Sequence, residues 1–160
     1  MNVVLIPAYD RENEIKALFS EYTDMLIKGD RKFADYLKLQ NYNNELIDLE
    51  SKYGLPDGRL LLALCNGEAA GCIALRKISE TECEMKRLYV RPQFRKNGIA
   101  KMLVNRIIDD ATEIGYKHIL LDTLPFLETA IGMYKRMGFY EIPSYNNSPM
   151  DNLIYLKYDL

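Results

Sequence analysis

The stretch of residues 88–100 has the residue types and spacing of an anion-binding site. It runs from a short apolar β-like segment through a basic turn into an amphipathic helix that begins at about Gly98. N–H groups in the first turn of a helix lack partners within the helix, and the helix dipole adds partial positive charge there. Every charged residue between 86 and 106 is basic, although the whole chain has a net charge of −2. The pattern predicts anion binding at this turn; a solvated basic surface is the alternative.

The composition is typical of a soluble globular protein with one domain, residues 1–160. The 160 residues are 48% hydrophobic and 28% charged, and the chain is slightly acidic, which argues against a nucleic-acid-binding protein. The apolar start of the chain is too short for a signal peptide, and no run approaches the roughly 18–20 apolar residues of a membrane span. We therefore expect a cytoplasmic protein without nucleic-acid or membrane partners.

The cysteines and the histidine give no pattern of a disulfide or a metal site. Cys65, Cys72 and Cys83 show no C-x-x-C spacing and cannot all pair, so we predict free thiols in a reducing compartment. The only histidine, His118, lies in an apolar run, which argues against a histidine-based triad or a zinc site. No metal is expected.

The first half of the chain reads as a strand, helices and a hairpin. Residues 3–6 predict a strand, and Asp10 is a plausible N-cap of the helix that follows. Residues 33–52 predict a second helical stretch with a break near its polar segment, residues 40–44. The Asn-Gly pair at 66–67 separates two β-like runs, which is the strongest short signal of a β-hairpin.

The third β-like run, residues 82–90, changes its alternation partway along. Cys83 and Met85 share one phase, whereas Leu88 and Val90 share the other. A period of two that slips by one residue predicts a β-bulge, which would splay this strand from a neighbour. Burial of both faces of the strand would also explain the pattern. An opening between strands would be a place for a ligand to enter.

The second half of the chain predicts a parallel β-α-β unit. The run at 82–90 is followed by a helix that stops at Gly115 and by a strand at 118–123. A strand, a helix and a strand in this order place the two strands parallel. Pro125 is predicted to start a second helix. Two final strands are predicted at residues 139–142 and 153–160.

Three segments resemble the sequence motifs of the GNAT superfamily of N-acetyltransferases. Residues 95–100, Arg-Lys-Asn-Gly-Ile-Ala, resemble its acetyl-CoA signature R/Q-x-x-G-x-G/A, and residues 88–92 resemble the strand before it. Ala130-x-x-x-Tyr134-x-x-x-Gly138-Phe139 resembles its second motif. The resemblance covers residues 3–160. It implies a mixed α/β fold, in which a mostly antiparallel twisted sheet with a central parallel β-α-β unit is splayed around the CoA site and flanked by helices.

The resemblance implies acetyl-CoA as the co-substrate. The pyrophosphate would lie on the backbone amides of residues 95–100, and the pantetheine arm would pair with the backbone of Leu88 and Val90. Exposed cation–anion contacts are worth only about 0–1 kcal/mol each, so the amides should matter more than any single lysine. Many members have Asn where this chain has Leu127, which removes or replaces a CoA contact. The residues assigned to the cofactor are Leu88, Tyr89, Val90, Arg95, Lys96, Asn97, Gly98, Ile99, Ala100, Lys101, Tyr134 and Lys135.

The resemblance also implies roles in catalysis for Glu84 and Tyr134. Acetyl transfer needs a neutral amine, so a base must remove a proton. Glu84 matches the position of a glutamate base in several members; a solvent-facing strand glutamate is the alternative. Tyr134 matches the tyrosine that protonates the departing CoA sulfur; a core aromatic residue is the alternative. The N–H of Val90 would hold the thioester carbonyl oxygen.

The acceptor side is implied to lie between the first two helices and the loop before the last strand. Acidic residues there would suit a cationic amine, although ordinary surface polar residues explain them equally well. Asp122 would either orient the pocket or act as an ordinary buried or capping carboxylate. The candidate acceptor residues are Glu21, Tyr22, Asp122, Tyr145 and Asn146.

The predicted function is direct transfer of an acetyl group from acetyl-CoA to a small-molecule amine or an exposed protein amine. One alternative is a sensor that binds acyl-CoA without catalysis. The other is an interaction module whose basic turn binds a phosphorylated partner. The expected partners are acetyl-CoA and an amine acceptor, and a homodimer is left open.

Overall fold

Seven strands form one sheet in a computed structural model that describes all 160 residues. The spatial order is β1-β2-β3-β4-β5-β7-β6. Only β4 and β5 are parallel, and all other neighbours are antiparallel. The predicted mixed sheet with one parallel pair is therefore confirmed. The strands are β1 (Val3–Pro7), β2 (Arg59–Cys65), β3 (Glu68–Lys77), β4 (Glu82–Val90), β5 (His118–Thr123), β6 (Tyr140–Ile142) and β7 (Ile154–Asp159).

Six helices flank the sheet. They are α1 (Glu12–Gly29), α2 (Phe33–Leu39), α3 (Tyr42–Ile47), α4 (Leu49–Tyr53), α5 (Ile99–Ile114) and α6 (Glu128–Met137), with a 3₁₀ turn at Pro92–Phe94. The break predicted within residues 33–52 is present. Asp10 is not the N-cap of α1, because Arg11 holds that position and its side chain makes no capping hydrogen bond. The helix predicted to start at Pro125 starts at Glu128.

Both faces of the sheet are buried, because α5 packs on one face and α1 and α4 pack on the other. The strand β2 shows this directly: Leu61 belongs to the core on the α5 side, and Leu60 and Leu62 belong to the core on the α1 side. Side chains alternate between faces along a strand, so a strand covered on both sides is apolar throughout. The Asn-Gly hairpin joins β2 to β3 as predicted, with positive φ at both turn residues.

A β-bulge lies in β4 at the position predicted from the change of phase. Cys72 of β3 pairs with Tyr89, and Ala74 pairs with Lys86. Two residues of β4, Arg87 and Leu88, therefore lie opposite one residue of β3. Arg87 has a φ of 62°, a left-handed conformation that costs about 1–3 kcal/mol in a residue other than glycine. Pairing between β4 and β5 extends only over residues 82–84 of β4, so the two strands separate beyond that point.

A buried ion pair holds the bulge. The Arg87 Nε donates to Glu45 Oε2 and its Nη2 donates to Glu45 Oε1, both at 2.9 Å. The two residues are 4% and 3% exposed. Burial by itself would raise the pKa of the Glu45 carboxyl, but Arg87 and Lys52 outweigh it and lower that pKa to about 2. Because Glu45 lies on α3, this pair ties the short helices to the bulged strand.

Removing the charge of Glu45 should destabilise the fold strongly. Glu45→Gln keeps the side-chain size but leaves the Arg87 guanidinium buried without a counter-charge, so we expect a loss of about 3–5 kcal/mol in the free energy of unfolding. Urea denaturation measures this loss. The matched control is Glu80→Gln, because Glu80 pairs with Lys77 at an exposed position and its loss should cost about 0.5 kcal/mol or less. Equal losses in the two variants would contradict the assignment.

Candidate functional site

The separated strands β4 and β5 open into a cavity of about 740 Å³. Its walls come from these two strands, from the start of α5, from α6, and from α1 and α2. All residues predicted to bind the cofactor line this cavity except Asn97 and Lys135. The residues that the sequence motifs single out therefore lie around one space.

The edge of β4 that faces the cavity is not paired with another strand beyond Glu84, although its Val90 carbonyl accepts from Arg95 Nε at 2.9 Å. The N–H of Arg91 donates to the Ala70 carbonyl of β3 at 2.8 Å. Backbone groups alternate between the two edges of a strand, so the N–H of Val90 lies on the opposite edge, towards β5. The ladder to β5 has already ended there. An extended ligand can pair with this edge as an additional strand would.

The turn between β4 and α5 presents unpaired amides next to open space. Lys96 and Gly98 have φ values of 66° and 77°, and α5 begins at Ile99. A Cβ built on Gly98 would meet no atom within 4 Å, so packing does not require glycine at this position. The positive φ favours glycine, and Gly98 lines the cavity together with the first two residues of α5. This is the geometry of an anion site at a helix N-terminus.

Most of the basic residues between 86 and 106 are already engaged within the protein. Arg91 pairs with Glu21 at 2.8 Å, and Arg106 pairs with Asp110 at 3.1 Å. Arg95 donates to the Val90 carbonyl at 2.9 Å. Lys96 and Lys101 make no such contact, so their charges are the ones available to a ligand at the start of α5. In the folded protein, Lys96 and Lys101 are the residues of this long basic run whose side chains have no partner.

Two predicted cofactor residues lie outside the cavity wall. The Asn97 side chain donates to the carbonyls of Phe94 and Arg95, at 3.1 and 3.3 Å, and so closes the turn. Lys135 pairs with Glu141 at 3.0 Å. Arg136, the next residue on α6, lines the cavity. The helical pattern would have favoured Arg136, because Arg136 lies on the same side of α6 as Met133 (i, i+3), which also lines the cavity.

Tyr134 lines the cavity from α6 and is 6% exposed. Its ring packs on Phe139 with a centroid distance of 5.5 Å, and no protein atom hydrogen-bonds to its hydroxyl. Burial raises the pKa of Tyr134 well above its ordinary value. The phenol therefore keeps its proton at neutral pH and can donate it within the cavity.

Glu84 lies behind the cavity wall. Its Oε1 accepts from Arg76 Nε at 2.7 Å, and its Oε2 accepts from the Tyr145 hydroxyl at 2.6 Å. Burial by itself would raise the pKa of Glu84, but Lys86 and Arg76 outweigh it and lower that pKa. The carboxylate is thus ionised and engaged in two hydrogen bonds. Its role as a base stays a prediction.

Asp122 and Tyr22 are the predicted acceptor residues that line the cavity. Asp122 Oδ2 accepts from the Tyr36 hydroxyl and from Asn146 Nδ2, the latter at 3.0 Å. Asp122 Oδ1 accepts no hydrogen bond and is available to a ligand. Asn146 and Tyr145 support the carboxylates from behind, and Glu21 is occupied by Arg91.

The sequence analysis did not assign Gln40, Lys86 and Arg87 to the site, although all three line the cavity. Lys86 follows Glu84 by two residues, so strand alternation places both on one face. Since the sequence analysis placed Glu84 near the reaction centre, the same alternation could have identified Lys86. Arg87 could not have been found in this way, because the bulge alters the alternation at that residue.

Comparisons with known proteins agree with this geometry. The profile of the Acetyltransferase (GNAT) family matches residues 16–139. The chain belongs to the GNAT family of acetyltransferases. It is 35% identical to an uncharacterized N-acetyltransferase of Schizosaccharomyces pombe, over 92% of this chain and 88% of the relative. It is therefore an acyltransferase, and the family leaves its acceptor unspecified.

Solved structures share the fold. An acetyltransferase from Streptococcus agalactiae superposes with a TM-score of 0.78 at 19% identity, over 99% of this chain and 98% of that one. A GNAT family acetyltransferase from Elizabethkingia anophelis with acetyl-CoA bound gives a TM-score of 0.59 at 26% identity, over 79% of this chain and 90% of that one.

No group of three or more His, Cys, Asp or Glu side chains is placed to hold a metal ion. None of the helices combines the length and the apolar character that crossing a bilayer requires.

A side chain at Gly98 should block anion binding without unfolding the protein. Gly98→Gln fills the open space before α5, and we expect the Kd for CoA to rise at least about tenfold, the effect of losing one or two charge-assisted hydrogen bonds. Isothermal titration calorimetry measures the Kd. The matched control is Gly115→Gln at the other end of α5, where φ is also positive and a Cβ also meets open space. An unchanged CoA affinity in Gly98→Gln would remove the anion site from this turn.

Proposed function

We propose that this acetyltransferase moves the acetyl group of acetyl-CoA directly to the amine of an acceptor. The acceptor is held at the inner end of the cavity, the part lined by Lys86 and Asp122, where β4 and β5 begin to separate. The observation that carries the proposal is the unpaired edge of β4 at Leu88 and Val90, which lines the same cavity as the start of α5 and Asp122. The acetyl-CoA bound to the relative from Elizabethkingia anophelis supports the choice of donor.

The donor would be held mainly by backbone groups. The pyrophosphate lies on the N–H groups at the start of α5, and Lys96 and Lys101 supply charge beside it. The pantetheine arm pairs with the free edge of β4 at Leu88 and Val90. The Val90 N–H donates to the thioester carbonyl oxygen, where negative charge develops during attack by the amine. None of these contacts depends on a catalytic side chain.

Tyr134 would protonate the leaving group. The acceptor nitrogen forms a bond to the acetyl carbon, the C–S bond breaks, and the sulfur takes a proton from the Tyr134 hydroxyl. The proton that the nitrogen loses goes to a carboxylate of the site, and solvent returns a proton to the Tyr134 phenolate. The raised pKa of Tyr134 keeps the proton on oxygen until the thiolate forms beside it. Its hydroxyl has no competing partner in the protein, which supports this role.

Removing the Tyr134 hydroxyl should lower turnover and leave donor binding intact. A general acid contributes about 10²–10⁴-fold, and we expect Tyr134→Phe to lower kcat by about 10²-fold, the low end of that range, because a thiolate leaves readily. The Kd for CoA should stay within about threefold. Tyr140→Phe is the control, because Tyr140 is exposed and bonds Asp159. Normal turnover in Tyr134→Phe would return Tyr134 to a packing role.

Asp122 would hold the acceptor amine. Its Oδ1 lies in the cavity wall without a hydrogen-bond partner, whereas both oxygens of Glu84 are engaged behind that wall. A hydrogen bond from the amine to Oδ1 orients the nitrogen lone pair, and Oδ1 takes the proton that the nitrogen loses as its bond to the acetyl carbon forms. Glu84, which the family resemblance predicts as the base, is the alternative; it accepts from Tyr145 and lies 3.8 Å from Lys86.

Two variants separate these carboxylates. Asp122→Asn should lower kcat/KM by about 10²-fold, and Glu84→Gln should lower it less once the folded fraction is taken into account. Steady-state kinetics and thermal melting of both variants provide the two measurements. A larger loss of kcat/KM in folded Glu84→Gln than in Asp122→Asn would make Glu84 the base, as the sequence predicts.

The cellular setting is part of the same proposal. Cys65, Cys72 and Cys83 are buried and unpaired, which supports a reducing compartment and hence the cytoplasm. The homodimer and the lack of nucleic-acid and membrane partners stay predictions of the sequence.

Release of free thiol from acetyl-CoA over a panel of amines tests the proposal, with mass spectrometry of the N-acetylated product. Acetylation of at least one amine supports it. Tight CoA binding without acetylation of any amine would favour the non-catalytic sensor instead. Binding of phosphopeptides with no effect of CoA on thermal stability would favour the interaction module.

A further inference from the structure

Two cationic side chains line the inner end of the cavity and share one neutral acceptor. Lys86 and Arg87 are 9% and 4% exposed, and both belong to the cavity wall. Lys86 Nζ donates to Gln40 Oε1 at 2.6 Å, and Arg87 Nη2 donates to the same oxygen at 2.8 Å. Side chains this buried are usually matched by carboxylates.

Arg87 has a carboxylate within hydrogen-bond distance, and Lys86 does not. Glu45 forms two hydrogen bonds with Arg87. The carboxylate nearest Lys86 is Glu84, at 3.8 Å from Nζ, and the same Glu84 oxygen accepts from Arg76 at 2.7 Å. Lys86 therefore has no carboxylate within hydrogen-bond distance. Burial and the neighbouring Arg87 lower the pKa of Lys86 to about 8, because the ammonium is poorly compensated in this position.

A carboxylate with a free oxygen lies on the opposite wall. Asp122 belongs to β5, which faces β4 across the gap between the strands. Its Oδ2 is occupied by Tyr36 and Asn146, and its Oδ1 is free. The inner end of the cavity thus presents a positive group on one wall and a negative group on the other, each with unused hydrogen-bonding capacity.

We propose that the acceptor is an amine that also carries a carboxylate, and that Lys86 binds this carboxylate while Asp122 faces the amino group. The inference rests on the proposed acetyl transfer. An anion beside Lys86 can accept the hydrogen bond that Glu84, at 3.8 Å, is too far away to accept, and the ammonium can donate to it without losing its bond to Gln40. The Arg87 Nη1 makes no hydrogen bond within the protein and adds positive charge at the same place.

The apolar part of the cavity wall limits the class of acceptor further. Leu26 and Phe33 line the cavity from α1 and α2 and share an apolar cluster with Tyr36, whose hydroxyl donates to Asp122, so the third substituent of the acceptor meets apolar side chains. An α-amino acid with an apolar side chain has all three features. A polyamine fits poorly, because its additional ammonium groups would be repelled by Lys86 and Arg87.

Matched pairs of ligands test the inference. Leucine and phenylalanine are compared with 3-methylbutylamine and phenethylamine, which differ from them only by the lost carboxylate. Calorimetry on the CoA complex should give a Kd at least about tenfold lower for each amino acid than for its amine, because a hydrogen bond between charged groups is worth about 1.5–3 kcal/mol. The same binding measurements apply whether or not acetylation follows.

Lys86→Met should abolish the preference by weakening the binding of the amino acids alone. The substitution removes the charge and nearly preserves the length, and Gln40 keeps its bond from Arg87. Lys38→Met is the control, because Lys38 is an exposed residue of α2 without an ion pair. Thermal melting confirms that both variants are folded.

The outcomes separate this inference from the proposed function. Equal binding of the amino acids and their amines to the unsubstituted protein, or no binding of either class, overturns the inference, and no variant is needed for that result. Amines that are acetylated without a carboxylate preference leave the transfer proposal standing and remove only Lys86 from the acceptor site. Amino acids that bind with the expected preference but are not acetylated support Lys86 and contradict the transfer.

Discussion

The buried pair between Arg87 and Glu45 is the interaction on which the site depends. It holds Arg87 in a left-handed conformation within β4, and the resulting bulge turns the strand away from β5. A left-handed arginine costs about 1–3 kcal/mol, and a second element, α3, must supply the carboxylate that keeps it there. The short helices α2 to α4 therefore stabilise the shape of the catalytic strand from a distance.

Beyond the bulge, β4 has backbone hydrogen-bonding groups that no neighbouring strand pairs. A sheet normally pairs every N–H and C=O of its inner strands, and β4 is an inner strand whose edge is open over its second half. Backbone groups on a rigid strand need no side-chain ordering to bind a ligand, so they suit a donor held in an extended form. Gly98 continues this arrangement into α5, where amides rather than lysines are placed for the anion.

Most of the basic side chains around the site are paired within the protein. Arg91 and Arg106 are neutralised by carboxylates from distant or adjacent helical positions, so the basic run leaves Lys96 and Lys101 free at the mouth of the cavity. Lys86, alone among the buried cations, lacks a carboxylate within hydrogen-bond distance at the inner end. The two regions are suited to different anions: a phosphate beside Lys96 and Lys101, and a carboxylate beside Lys86.

The sequence alone determined the mixed sheet, the hairpin and the order of strands and helices along the chain, and it predicts the anion site at Gly98. These features follow from local patterns: alternation, turn residues and the start of a helix. The slip of phase even located the bulge. Helix starts at Asp10 and Pro125 were wrong by a few residues, because tertiary packing decides which terminal residues enter a helix.

Only the tertiary structure decided which charges remain uncompensated. The partners of Arg87, Arg91 and Lys86 lie on α3, on α1 and directly after the end of α2, far away in the sequence, and no local pattern specifies them. The same is true of Glu84. It occupies a motif position, but the motif does not show that Arg76 and Tyr145 donate hydrogen bonds to its carboxylate. A motif fixes which residues are present, whereas the free hydrogen-bonding groups that bind a ligand are those that the rest of the fold leaves unused.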